Sequence, residues 1–418
     1  MPAPDFSHPN ADVRMRGFAR RTTVEDALAW IDSTVPELGD LGVEDVSLNC
    51  AAGRVLARDV VSRVNVPGFA RAMMDGFAVV AEDTLGATSY NPLPLTILGT
   101  SLPSVAFPGS VAPGGAVRIM TGAPLPEGAD AVLPIENAQI DGQRALVLGE
   151  VSPGKHVGQP GEDVRPGDVV VRAGRILRPQ DIGMLSALGF SQVPVIRPPR
   201  VRIVITGNEL LPMGTPPDGF QITDANGPML AALVARDGGE PIPGPIVPDD
   251  RQAILVALRD EADVVLVSGG SSVGQEDHVP TLLAEHGELA IHGIAMRPSS
   301  PTGMGRLDGR LVFLLPGNPV SCLCAYDFFA GRAIRALGGR SRDWPYRRVT
   351  MRLSRKLASV VGRVDYARVQ IHSMSAEPLA ISGASILSSV TRADGFVIVP
   401  MDSEGFPEGA EVYVYLYE

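Results

Sequence analysis

The sequence predicts a multidomain fold of the α/β plus β kind. A central, mostly parallel α/β domain follows a β-rich insertion domain, and a small C-terminal β-barrel or sandwich ends the chain. Three observations carry this. The chain has 418 residues, more than one ordinary hydrophobic core holds, so two to four domains are expected. From about residue 200, β-branched runs such as VRIVITG alternate with helical patterns, as in a parallel sheet covered on both faces. From about residue 344 the pattern returns to strands alone, as in a small closed or sandwiched sheet.

The elements follow in order. RTTVEDALAWID (21–32) reads as a helix: Thr22 or Thr23 can cap it, Glu25 suits its positive end, and Val24, Ala27, Leu28 and Ile31 share a face. The alternating stretch from Val43 to about Val66 reads as extended. Up to about Gly149 come strand-like pieces broken by Pro and Gly: PLPLTILGT, AVRIMTG, DAVLPIE and RALVLGE. A helix is expected near Pro179–Leu188. The strand VRIVITG (201–207) leads to a helix at Gly227–Arg236, an extended piece to Pro248, and a helix from Asp250 to Glu261. Then come strand DVVLVSG (263–269), a helix near 279–286, a single strand LAIHGIAM, strand RLVFLLPG, and a long helix from Asn318 to about Leu337. RRVTMRL, YARVQIH, GFVIVP and AEVYVYLYE supply the last β domain.

Composition narrows the function classes. Apolar residues make up 45% and charged residues 20%, a globular balance. No apolar run approaches the roughly 20 residues that span a bilayer. The start, MPAPDFSHPN, has neither a basic nor an apolar secretory segment. Three cysteines without a CxxC pair do not form a disulfide framework, and a cytoplasmic location is expected. A net charge of −11 argues against a nucleic-acid binder. It leaves room for a small anion held by a local patch of donors.

Three loops leave strands at the edge where open α/β sheets bind ligands. They are ITGNELLPMG with Glu209, SGGSSVGQED after the third strand, and LLPGNPVS (314–321). Gly269, Gly270 and Gly274 allow close approach of backbone N–H groups, and Ser268, Ser271 and Ser272 add hydroxyls. After Pro316 and Gly317, Asn318-Pro319 opens a helix whose positive end suits an anion. Together these loops read as a phosphate cradle. Glu209, Asp249, Asp250, Glu276 and Asp277 fall at the same edge. A phosphate beside several carboxylates needs a bridging cation, and Mg²⁺ combines one or two carboxylates with phosphate oxygens. Read alone, Asp249-Asp250 is most simply a helix cap. Cys322 and Cys324 read as core, and His278 as a solvated loop histidine.

The motifs RAMMDGFAV (71–79), MTGAPLPEGADAV (120–132), PGEDVRPGD (160–168), TGNEL, SGGSSVGQED and LPGNPVS, in this order, resemble the molybdopterin molybdenumtransferase family, which includes the C-terminal domain of gephyrin. The resemblance covers the chain from about residue 15. It implies a homodimer of four-part chains: residues 11–60 with 150–195 as a discontinuous linking domain, 61–149 as the β-rich domain, 196–343 as the α/β molybdopterin-binding domain, and 344–418 as the β domain. It also implies a reaction, in which molybdate is inserted into adenylylated molybdopterin with Mg²⁺-dependent release of AMP. The molybdopterin adenylyltransferase is the implied protein partner. Carried over by motif, Asp277, Glu209, Asp75, Thr121 and Asp163 are catalytic, and Asp277, Glu209 and Asp250 hold the metal. Arg297, Pro298, Pro301 and Arg368 join the loop residues in ligand binding. Where the family reads close to KPGKP, this chain has Arg297, Ser299, Ser300 and Pro301, so a usual lysine is missing at Ser300. A second reading follows: a divergent relative that handles another oxyanion, or a non-catalytic pterin-binding scaffold.

Overall fold

Helix α1 (Val24–Thr34) begins where Thr23 Oγ1 accepts the Asp26 backbone N–H at 3.0 Å, and it buries Val24, Ala27 and Ile31. This computed structural model describes residues 21–270, 278–380 and 383–417. They divide into two compact units. One spans 46–52 and 56–193; the other holds the remaining described residues, mainly from Pro194 onward.

The smaller unit is built on a six-stranded sheet. Its strands are β1 (Gly76–Val79), β2 (Thr88–Ser101), β3 (Gly115–Ile119), β4 (Ala131–Pro134), β5 (Ala138–Asp141) and β6 (Arg144–Gly149), in the order β4-β1-β3-β2-β6-β5. All four strands expected there are present. Phe77, Val79, Leu95, Leu133 and Val147 fill one core face, and Ala78, Val117 and Val132 fill the other. Helix α2 (Pro179–Ala187) follows.

The larger unit carries the parallel sheet. Strands β7 (Arg200–Ile205), β8 (Glu240–Pro243), β9 (Val264–Ser268), β10 (Glu288–His292), β11 (Gly303–Leu307) and β12 (Arg310–Leu315) lie in the order β8-β7-β9-β12-β11-β10. The first three pairings are parallel and the last two antiparallel. Helices α3 (Asn226–Arg236), α4 (Arg251–Leu258) and α5 (Val279–His286) connect the strands. After β12 the chain forms α6 (Pro319–Ala325), a π-helical turn (Tyr326–Ala330) and α7 (Gly331–Leu337), which together realise the long helix expected there.

The stretch LAIHGIAM is two strands, not one. Gly293, at φ +93°, ends β10, and Met296–Arg297 pairs instead with Val364–Asp365 of the next sheet. Strand β11 and the strand Ser375–Ala380 were not expected. The first lies in the Gly-containing TGMG segment, and the second carries Glu377 and Pro378, so both read as turn.

The C-terminal strands β13 (Arg348–Leu353), β14 (Val364–His372), β15 (Ser375–Ala380), β16 (Gly395–Val399) and β17 (Glu411–Leu416) close on themselves as β14-β15-β13-β17-β16-β14. This five-stranded barrel has its own core of Leu353, Val369, Val397 and Val414. Tyr366 and Phe396 belong instead to the core of the α/β sheet and α1.

Candidate functional site

A cavity of about 690 Å³ opens beyond the carboxyl ends of β7, β9 and β12. Its walls come from all three strand-end loops singled out in the sequence: Thr206, Gly207 and Glu209 after β7, Ser268, Gly269 and Gly270 after β9, and Pro316, Gly317 and Asn318 after β12. Pro301 and Ser385 add to the rim. The parallel register explains the convergence, because Ile205 pairs with Ser268 and Ser268 with Leu315. The three strands therefore end level, and their loops turn out at one edge.

The turn after β9 needs its glycines. Gly269 has φ +102°, and a Cβ there would lie 2.3 Å from the Thr206 carbonyl oxygen. Gly270, at φ +55°, also takes the left-handed conformation. No side chain larger than hydrogen lets this backbone approach β7 so closely. Ser271, Ser272, Gly274, Glu276 and Asp277 lie outside the described residues.

Two residues that sequence reasoning missed hold the cavity together. Asn226, buried at the start of α3, donates from Nδ2 to Ser268 Oγ at 2.8 Å and to the Gly317 carbonyl at 2.7 Å. It thus links two of the loops from a third element. Asp224 Oδ1 accepts the Asn226 and Gly227 backbone N–H groups at 2.9 and 3.0 Å, which starts α3 in place. Both residues line the cavity. In sequence, DANG before an apolar run reads only as a helix start.

The carboxylates separate by role. Glu209 is exposed at the cavity wall. Asp249 also lines the wall, and its Oδ2 accepts the Asn208 N–H at 3.0 Å. Asp250 caps α4, accepting the Ala253 N–H at 2.9 Å. Among the described residues, no Lys or Arg lines this cavity, and no group of three His, Cys, Asp or Glu could hold a metal. The donor set of Glu209 and Asp249 still fits Mg²⁺ in its usual form, with one or two carboxylates plus oxygens of a bound phosphate. Beneath the wall, burial pushes the Cys322 thiol up to about 12, with Ser268 pulling the other way. It is no nucleophile at neutral pH.

Other expected site residues stand apart from this cavity. Arg297 is half-buried and leads into a cis bond to Pro298; neither residue lines the cavity. Ser299 adopts φ +83° and donates to the Ser321 carbonyl at 2.5 Å. The Ser300 hydroxyl is buried and has no hydrogen-bond partner among the described residues. Arg368 is fully buried, and burial lowers its guanidinium pKa while Tyr417 and Cys324 oppose the shift. His278 is half-buried at the start of α5 and not a solvated loop residue, because the apolar helix behind it is anchored in the core. Cys322 and Cys324 are core residues, as expected.

In the smaller unit, Asp75 and Thr121 meet. Asp75 Oδ1 accepts both the Thr121 N–H and its hydroxyl at 2.7 Å. These two bonds hold the Asp75 carboxyl below its ordinary range. Asp163 is exposed, and its N–H donates to the Val66 carbonyl at 3.1 Å.

Over 384 residues the chain is 34% identical to molybdopterin molybdenumtransferase 2 of Mycobacterium tuberculosis, covering 88% of this chain and 94% of that protein. The chain belongs to the molybdopterin molybdenumtransferase family. The molybdopterin molybdenumtransferase of Haemophilus influenzae is 30% identical over 89% of this chain and 93% of its own length. Residues 22–189 match the MoeA N-terminal region (domain I and II), 202–336 a probable molybdopterin binding domain, and 350–417 the MoeA C-terminal region (domain IV). The cavity lies within the second of these segments, apart from Ser385. A solved structure of a MoeA molybdopterin biosynthesis protein from Pyrococcus horikoshii superposes with a TM-score of 0.82 at 33% identity, over 96% of this chain and all of that one. The family is one of enzymes of molybdenum cofactor biosynthesis.

Proposed function

We propose that the chain inserts molybdate into adenylylated molybdopterin and releases AMP in a Mg²⁺-dependent reaction. The observation that carries this reading is the cavity at the sheet edge, with its bare Gly269-Gly270 turn, its Ser268 hydroxyl and its carboxylates Glu209 and Asp249. The relatives' name supplies the reaction class.

The described lining offers anionic and neutral groups only, so a phosphoanhydride there requires a cation. Bound Mg²⁺ would neutralise the phosphate oxygens and favour departure of AMP. Glu209, Asp249 and Asp277 are the residues that would hold it, and Asp250 would support them by fixing the start of α4. Ser268 and the N–H groups of Gly269 and Gly270 would orient the ligand. Asp75, Thr121 and Asp163 belong to this reading as polar groups of the smaller unit, and Arg297 and Arg368 as cations of the larger one. The reading keeps the four-part division of the chain, a homodimer, a cytoplasmic setting, and the molybdopterin adenylyltransferase as the protein that supplies substrate.

The test is AMP release from adenylylated molybdopterin by the full chain with Mg²⁺, with and without molybdate. Glu209→Gln and Asp277→Asn serve as controls. Molybdate-dependent release that drops at least ~100-fold in both variants supports the transferase, as expected when a group acting on developing charge is lost. The missing lysine at Ser300 favours one second reading. Tight binding without release, or release driven by another oxyanion, would replace the transferase with a scaffold or a different oxyanion enzyme.

A further inference from the structure

A second cavity, of about 500 Å³, lies in the larger unit where the helix after β12 meets the barrel. Leu28 of α1, Phe328 of the π turn and Arg332 of α7 line one part of it. Arg348 of β13 and Tyr415 of β17 line another, and the segment with Arg342, Asp343, Trp344 and Tyr346 completes it. None of these residues belongs to the cavity described above. The surrounding sequence is strongly basic. From Arg332 to Lys356 there are nine Lys or Arg and a single Asp, in a chain whose net charge is −11. An anion is therefore drawn to this place and not to the surface at large.

The polar groups of the wall show what it has left to offer. Trp344 Nε1 donates to the Asp327 carbonyl and the Tyr346 hydroxyl to Asp327 Oδ2, each at 2.9 Å. Both rings are thus fixed before a ligand arrives and present carbon surface. Arg332 is engaged as well, with Nε and Nη2 on Asp32 at 2.8 and 2.7 Å. Arg342 reaches the same carboxylate through one nitrogen at 3.3 Å, which leaves most of its donors. Arg348 is exposed, lies 4.3 Å over the Tyr413 ring, and has no carboxylate partner among the described residues. Asp343 accepts the Ser341 hydroxyl through Oδ2 at 3.1 Å, which leaves Oδ1 for a ligand hydroxyl.

We propose that this cavity binds a mononucleotide. Its three kinds of free group match the three parts of such a ligand. The guanidinium groups of Arg342 and Arg348 suit a phosphate, whose oxygens they meet in pairs. The rings of Trp344 and Tyr415 suit a base, and Asp343 suits a ribose hydroxyl. A bare phosphate would leave the aromatic wall unused, and an uncharged ring would leave the guanidinium groups unused. The volume falls in the range of small-molecule sites. The site is separate from the cavity at the sheet edge and does not depend on the reaction performed there.

Trp344 itself reports binding. The chain has two tryptophans, so Trp30→Phe leaves Trp344 as the sole emitter. Its fluorescence is titrated with AMP, GMP, adenosine and inorganic phosphate, and calorimetry on the full chain with both tryptophans gives the same affinities independently. A nucleotide should change the emission saturably. Replacing Arg342→Gln and Arg348→Gln together should weaken that binding at least about tenfold, with Tm unchanged. Arg348→Lys should recover only part of an Arg348→Gln loss, because an ammonium lacks the planar fork. Adenosine should bind weakly, and equally in wild type and the double variant. The proposal is overturned if neither nucleotide gives a saturable response, if the double variant binds them like wild type, or if inorganic phosphate binds as tightly as a nucleotide. AMP release from adenylylated molybdopterin is measured separately. Its absence in wild type would end the transferase reading and leave a Trp344 response to nucleotide in support of this site.

Discussion

Asp75 and Thr121 lie 46 positions apart, yet two hydrogen bonds of 2.7 Å join them. Both donors stabilise the ionised carboxylate, so the folded value lies below the unfolded one. What the pair contributes is present above the unfolded value and lost as the pH falls through the folded one. Thr121→Val removes the hydroxyl donor and should move the Asp75 midpoint up toward the ordinary carboxylate value, as read by carboxyl NMR. An unmoved midpoint would mean that the backbone N–H alone sets it. At the same scale, Gly269→Ala places a methyl against the Thr206 carbonyl at φ +102°. It should cost about 2 kcal/mol or more in urea unfolding, and it should weaken ligand binding because the turn must shift.

Among the elements, the helix after β12 carries a buried ion network. At its π turn Asp327 is fully buried and accepts from Arg236 Nη2 at 2.9 Å and from the Tyr346 hydroxyl at 2.9 Å. Burial pushes its carboxyl up, and Arg236 pulls it back. Arg236 and Arg335 share the neighbouring buried Asp237 at 3.0 and 2.9 Å. Asp327→Ala takes from Arg236 one of its two buried carboxylate partners and leaves Asp237 as the other; it should cost about 1–3 kcal/mol, measured by thermal or urea unfolding. A loss under about 1 kcal/mol would show that the network is dispensable. Most of these elements were legible in the sequence, since capping residues and 3.6-residue spacing are local. Strands β11 and β15 were not: each closes a hairpin with the strand beside it in sequence, but the glycines of β11 and the Glu377-Pro378 pair of β15 hide the strand pattern.

For the larger unit as a whole, the barrel and the α/β sheet share a core. Phe396 stacks on Tyr366 at 4.3 Å and on Tyr415 at 5.1 Å, within the cluster that also holds Phe313 and Ile31. Phe396→Ala should cost about 3–5 kcal/mol, and calorimetry should show both parts melting in one transition. Separate transitions would mean that the contact carries little. Helix α1 is clasped to α7 by Asp32, which takes both Arg332 bonds at 2.8 and 2.7 Å. The Arg332 bonds lower the Asp32 pKa against its partial burial. Asp32→Asn should therefore cost about 1 kcal/mol at pH 7, with the gap to wild type closing as acid protonates the carboxylate. A gap that persists in acid would assign the loss to packing.

The chain's own order of residues determined the class of fold, the three strand-end loops and the family. These rest on local signals: β-branched runs, glycine turns, and motifs read one after another. Only the tertiary structure decided which groups share a cavity. Asp249 and not Asp250 lines it, Asn226 bridges two of its loops, and Thr206 lies against the glycine turn. The physical reason is register. Parallel strands far apart in sequence end level at one edge, and no local pattern states which neighbour will stand beside which.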